Sequence, residues 1–276
     1  MAEFTTSDGL RLHYEDTGSG QPLLCLAGLT RTTRDFDFLA PHLGGLRMIA
    51  MDYRGRGRSD RAPDPASYDV MREMRDAVEL LDHLGLGRLT VLGTSRGGLI
   101  AMAMAAMAPD RLTGVILNDV GPEISAEGIA RIMDYVGRPP VWRDLDSAAA
   151  GLAEALGPQF PGVPPTRWRA VAAAQFDETP EGLQLRYDPR LREALAAQAE
   201  AGPPPDLWPL FDALKPLPAG VLRGANSDIL SVQTLAEMRR RHPGLHVGEI
   251  SDRGHAPFLD EPESLAVIHT VLRLAR

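Results

Sequence analysis

The chain reads as an α/β protein, a mostly parallel sheet with helices on both faces and an inserted helical cap. Three observations predict it. Short apolar runs alternate with longer helix-like stretches from Pro22 to Leu117. The alternation stops between about Gly121 and Leu210 and resumes from Ala219 to Leu274. A length of 276 residues with 44% hydrophobic content allows one large domain with a sizeable core.

Taken in order, residues 11–15 follow the turn signal Asp8-Gly9 and form one arm of an early hairpin. Residues 22–27 and 46–51 are buried strands, separated by a helix-like stretch, 35–43, that Gly44-Gly45 ends. Residues 68–84 form a long amphipathic helix, with Val70, Met74, Val78, Leu81 and Leu84 at helical spacing and Gly85 closing it. A strand follows at 88–92. The run 99–108 is apolar all round, which predicts a buried central helix whose methionines fill the core. The next strand is 112–117.

The insertion is rich in Ala, Pro and helix formers, and no strand is expected in it. Pro139-Pro140, the stretch from Pro161 to Pro165, and the prolines at 203–205 punctuate it. Trp142, Phe160, Trp168, Phe176 and Trp208 give it apolar mass to bury, so it is a folded unit and not a linker. The expected division is therefore residues 1–120 and 211–276 as core, with 121–210 as cap or lid. Strand and helix alternate again over 219–223, 231–241, 245–250 and 263–274.

Composition narrows the function classes. A net charge of −8 argues against a general nucleic-acid binder, which needs a basic face. The single cysteine, Cys25, excludes an internal disulfide and a cysteine-based zinc site, and its apolar setting predicts a buried thiol. His242 and His246 have a metal-pair separation, but Pro243-Gly244 breaks any helix between them, so no metal is expected. Arg54-Gly55-Arg56-Gly57 lacks the third glycine of a dinucleotide loop and reads as structural. No cofactor is implied. The first ten residues carry no secretory pattern, and no apolar segment approaches the roughly 18–20 residues that span a bilayer. The expected setting is cytoplasmic, without a membrane partner; monomer and homodimer both stay open.

The chemistry is carried by Gly93-Thr94-Ser95-Arg96-Gly97, a Gly-x-Ser-x-Gly between an apolar strand and an apolar helix. Such a turn needs small neighbours and projects the serine hydroxyl out of the backbone. A serine hydroxyl needs a base within hydrogen-bond reach, and the base needs a carboxylate to fix its tautomer. The chain order Ser, acid, His is met by Ser95, Asp228 and His255, each just past the C-terminal end of an expected strand. Asp119, after strand 112–117, is the rival acid. Asp252 is too close to His255 in sequence to orient it.

These motifs, together with Leu26-Ala27-Gly28-Leu29, Asp52-Tyr53-Arg54-Gly55-Arg56-Gly57-Arg58-Ser59 and Gly254-His255-Ala256-Pro257, resemble the α/β-hydrolase superfamily with a helical cap, in its esterase and enol-lactonase branch. The resemblance covers nearly the whole chain. It implies an oxyanion hole made by the backbone N–H groups of Leu29 and Arg96. Two departures stand out: Ala27 occupies a position where the family usually has His, and Arg96 one where Met or a similar apolar residue is usual. The implied function is cleavage of carboxylic esters or lactones of small, largely apolar molecules through a Ser-His-Asp triad and an acyl-enzyme. Carbon–carbon bond hydrolysis of a β-diketone on the same triad, and a non-catalytic hydrolase-fold binding protein, are the alternatives. Tyr135, Trp142, Phe176 and Phe258 are the expected pocket residues.

Overall fold

The computed structural model describes residues 2–202 and 204–276; Pro203, one of the prolines expected to punctuate the insertion, lies outside them. The chain opens with β1 (Ala2–Thr5), β2 (Arg11–Gly18), β3 (Gln21–Leu26) and β4 (Leu46–Met51). Helix α1 (Val70–His83), β5 (Leu89–Thr94), α2 (Arg96–Met107) and β6 (Leu112–Asn118) follow. The insertion holds α3 (Ala126–Tyr135), α4 (Leu145–Leu156), α5 (Pro165–Gln175), the hairpin β7 (Phe176–Thr179) and β8 (Gly182–Leu185), and α6 (Leu191–Glu200). Helix α7 (Trp208–Asp212) crosses the expected boundary at 210 and packs on α2, so Trp208, expected to add apolar mass to the insertion, lies against the main core instead. The chain closes with β9 (Ala219–Gly224), α8 (Val232–Arg241), β10 (His246–Ile250) and α9 (Pro262–Leu274).

The main sheet has the order β1-β2-β4-β3-β5-β6-β9-β10. Strands β4, β3, β5, β6, β9 and β10 pair in parallel, and β2 joins β1 and β4 antiparallel. The predicted α/β fold class is thereby borne out. Burial on both faces explains the sequence pattern. Along β3, Leu24 and Leu26 join the cluster under α1 and α2, while Leu23 and Cys25 join the one under α9. Both faces are therefore apolar, and the strand reads as a continuous run. Helix α2 lies within the core, with Met102 and Met104 buried and Met107 at its exposed end. Burial pushes the Cys25 thiol far up, which keeps it an inert apolar group.

Helix α1 starts where Asp69 accepts hydrogen bonds from the Met71 and Arg72 N–H groups, a cap worth about 1 kcal/mol. Two local expectations are corrected. In place of one helix over 35–43 there are two short 3-10 turns, Thr33–Phe36 and Ala40–His42, because Pro41 supplies no N–H for a continuous helical ladder. The insertion, expected to lack strands, contains the β7–β8 hairpin. Its Pro180-Glu181-Gly182 turn puts Gly182 at φ 121°, a conformation only glycine adopts freely.

One feature of this topology positions the site. Strand β3 leads to β4 on one side, and the chain then crosses back to place β5 on the other. The loops leaving β3 and β5 diverge at that reversal, which opens a crevice at the C-terminal edge of the sheet.

Candidate active site

Ser95 sits in that crevice, at the junction of β5 and α2. Its backbone is held at φ 52°, ψ −114°, with its N–H donating to the Asn118 carbonyl at 2.9 Å. The neighbours must be glycine: a Cβ on Gly97 would strike the Leu26 carbonyl, and one on Gly93 would strike Gly97. This strained turn projects the side chain away from the helix it starts.

His255 reaches Ser95 from the loop after β10, with Nε2 lying 2.9 Å from Ser95 Oγ. Glu261 secures the loop by accepting hydrogen bonds from the Phe258 and Leu259 N–H groups and from Arg253 Nε. Asn118 Nδ2 donates to the Pro257 carbonyl from the other side.

The partner of His255 is Asp119, where the chain order had pointed to Asp228. Asp119 Oδ2 lies 2.7 Å from His255 Nδ1. The carboxylate is fully buried and also accepts from the Gly224 N–H at 2.9 Å and the Ser227 hydroxyl at 2.6 Å. Asp119 follows β6 directly and has φ 56°, so the chain turns sharply and aims its buried side chain at His255. Asp228 lies further along the loop after β9. That loop spends its Gly224 amide and Ser227 hydroxyl on Asp119, and the Asp228 side chain turns outward. There it pairs with Arg131 of α3 and accepts from Gln159 Nε2 at 3.4 Å. Asp228 thus ties the insertion to the sheet.

The loop after β3 faces Ser95. Its peptide groups are held one by one: Tyr53 Oη donates to the Ala27 carbonyl, Arg31 N–H to that of Gly28, and Arg56 Nε to that of Leu29. This bracing answers the absence of the family's histidine at Ala27. Leu29 lines the crevice beside Ser95. The Arg96 side chain does not enter it; it turns back into the core, where Nε donates to Glu73 Oε2 at 2.7 Å and Nη2 to the Tyr68 carbonyl at 3.1 Å.

The cleft above Ser95 has a volume of about 130 Å³. Of the four expected pocket residues, Tyr135 and Phe258 line it. Trp142 and Phe176 do not. They pack edge to face, 5.9 Å between ring centroids, inside the insertion's own apolar cluster. Phe38, Leu156, Phe160 and Trp168 line the cleft instead. Arg167 lies over both Phe38 and Phe258 and pairs with Asp260 at 2.6 Å, binding α5 to the histidine loop. One wall is charged, against the expectation of a largely apolar pocket: Arg31, Arg34 and Asp35 all reach it. Burial pushes Asp35 above the usual carboxylate range, with Arg31 and the Gly28 amide opposing that shift. Among the described residues, no group of His, Cys, Asp or Glu is arranged to hold a metal ion, and no helix is long and apolar enough to cross a membrane.

The sequence pattern of the alpha/beta hydrolase fold matches residues 21–262, most of the chain. The chain belongs to the α/β-hydrolase family. This α/β-hydrolase is 36% identical over 269 residues to the 3-hydroxybutyrate-oligomer hydrolase of Cupriavidus necator, covering 92% of this chain and 89% of that protein. It is 28% identical over 249 residues to the 2-(acetamidomethylene)succinate hydrolase of Mesorhizobium japonicum, covering 89% and 85% of the two chains. In structure, the α/β-hydrolase superposes on an alpha/beta hydrolase from Novosphingobium aromaticivorans with a TM-score of 0.92 and 43% identity, over 99% of this chain and 97% of that one.

Proposed function

We propose that the protein is a serine hydrolase of small carboxylic esters, working through Ser95, His255 and Asp119. The contact chain from Ser95 Oγ to His255 Nε2 at 2.9 Å and from His255 Nδ1 to Asp119 Oδ2 at 2.7 Å carries this reading. His255 takes the Ser95 proton as the serine oxygen attacks the ester carbonyl. Asp119 holds the imidazole with Nδ1 protonated and offsets its positive charge. The Leu29 and Arg96 N–H groups receive the developing oxyanion, each worth about 3 kcal/mol of barrier. His255 then protonates the leaving alkoxide, and a water that it deprotonates releases the acid from the acyl-enzyme.

Residues 121–210 act as the cap that sets specificity. A cleft of about 130 Å³ suits a short acyl unit. Its charged wall of Arg31 and Asp35 favours an acyl chain that carries a polar group. An ester of a short hydroxy acid has this character. The likeness to a 3-hydroxybutyrate-oligomer hydrolase supports the same class, since such oligomers are chains of hydroxy-acid esters.

The test compares 3-hydroxybutyrate oligomers, p-nitrophenyl esters, an enol-lactone and a β-diketone as substrates, alongside fluorophosphonate labelling with mass spectrometry. Ester turnover with an adduct on Ser95 is the expected result. Absence of the adduct, or turnover of the diketone alone, would overturn the reading.

A further inference from the structure

A buried charge cluster lies directly behind the two amides assigned to the oxyanion. Glu73, on the inner face of α1, is fully inaccessible, as is Arg56. The Glu73 carboxylate sits between two guanidinium groups, with Arg56 Nη1 at 2.7 Å from Oε1 and Arg96 Nε at 2.7 Å from Oε2. Burial alone would raise the Glu73 pKa, but the two arginines more than offset it and hold the group below its usual range, as a carboxylate.

The outer ends of this cluster are what give it a function. Arg56 Nε donates to the Leu29 carbonyl at 2.9 Å. Arg96 is the residue after the nucleophile. A continuous chain of contacts therefore runs Leu29, Arg56, Glu73, Arg96. It joins the two residues whose N–H groups face the oxyanion, although they stand on different loops. The same two segments also touch directly, since Gly97 has no room for a Cβ against the Leu26 and Ala27 carbonyls. The pair of loops is thus held at two separate points. The cluster holds two guanidinium groups against one carboxylate, so it also leaves one positive charge in a dry region next to developing negative charge.

We infer that Glu73 is a positioning residue of the oxyanion hole, setting through Arg56 and Arg96 the spacing of the Leu29 and Arg96 amides. This rests on the Ser95 reading above. A merely structural ion cluster would alter stability when changed, and would weaken substrate and transition state alike. A positioning cluster acts on the tetrahedral state.

The experiment measures kcat and KM on p-nitrophenyl butyrate, inhibition by butylboronic acid (which forms a tetrahedral adduct with an active-site serine), and thermal melting. Wild type, Ser95→Ala, Glu73→Gln and Arg56→Lys are compared. Glu73→Gln keeps the shape but loses the charge that holds both arginines. Arg56→Lys keeps the charge but loses the fork that serves Glu73 and the Leu29 carbonyl together. The expected result is a kcat lower by about ten-fold or more, with KM within about two-fold. The boronate inhibition constant should rise by the same factor as the loss in kcat/KM. If Glu73→Gln does not fold, Arg56→Lys carries the comparison. Folded variants whose kcat and boronate affinity stay within about two-fold of wild type would overturn the inference, as would a raised KM with unchanged kcat. Failure of the underlying reading has a different signature: wild type insensitive to the boronate, or Ser95→Ala fully active.

Discussion

Asp119 and His255 lie far apart in sequence, yet Oδ2 of one is 2.7 Å from Nδ1 of the other. Asp228 stands nearby on the neighbouring loop and is engaged instead by Arg131. The two aspartates are therefore separable by substitution. Asp119→Asn should lower kcat by about 10⁴-fold, because the amide cannot hold the imidazole in the tautomer that accepts the serine proton. Asp228→Asn should leave kcat within a few-fold of wild type. Steady-state kinetics on one ester decides between them, and the reverse pattern would restore Asp228 as the acid.

Ser95→Ala and His255→Ala should each lose nearly all turnover while retaining the circular dichroism and melting behaviour of wild type. Both side chains lie at the surface of the crevice and contribute little core packing. Near wild-type esterase activity in either variant would refute the proposed nucleophile or base.

Phe176 and Phe258 separate packing from binding. Phe176 is buried among Trp142 and its neighbours, so Phe176→Ala should cost about 3–5 kcal/mol of stability in the insertion. Phe258 lines the cleft, so Phe258→Ala should change KM and chain-length preference more than it changes melting. Denaturant unfolding and kinetics on an ester series check both.

Arg31 tests the charged wall. Its guanidinium reaches Asp35 at 4.0 Å and faces the cleft. Arg31→Met should raise KM for an ester with a free carboxylate on its acyl chain by about 10-fold or more over its effect on p-nitrophenyl butyrate, the size of a lost charge-assisted hydrogen bond. Equal effects on both substrates would show that the wall does not select charge.

Acid stability has a predicted window. Burial opposes it, but hydrogen bonds from Arg54 and Thr6 and the charges of Arg54 and Arg72 hold Asp8 at about 2, against a reference of 3.8. The folded pKa is depressed, so this contribution is complete above the reference value and is lost as pH falls from about 4 to 2. Asp8 is partly exposed, which limits the effect to that of a screened surface pair. Asp8→Asn should flatten the decline in stability over that window, read as the urea midpoint at successive pH values.

Much of this molecule was legible in its sequence. Strands buried on both faces show as apolar runs, amphipathic helices as spacing, and the proposed nucleophile as glycines around one serine. Those signals are local, because each depends on residues a few positions apart. The fold was legible that way, and so were Ser95 and His255 as candidates. The hidden members needed neighbours distant in the chain. Glu73 looks like a solvent-facing acid on α1 until Arg56 and Arg96 are placed around it, and the hint was two arginines, in Arg54-Gly55-Arg56, that need buried counter-charges. Asp119 and Asp228 both follow a strand and both suit the family's order. Sequence determined that a carboxylate would stand behind His255. Only the tertiary structure decided which one, because the turn at Asp119 aims its side chain at the His255 imidazole while the loop after β9 turns Asp228 outward to Arg131.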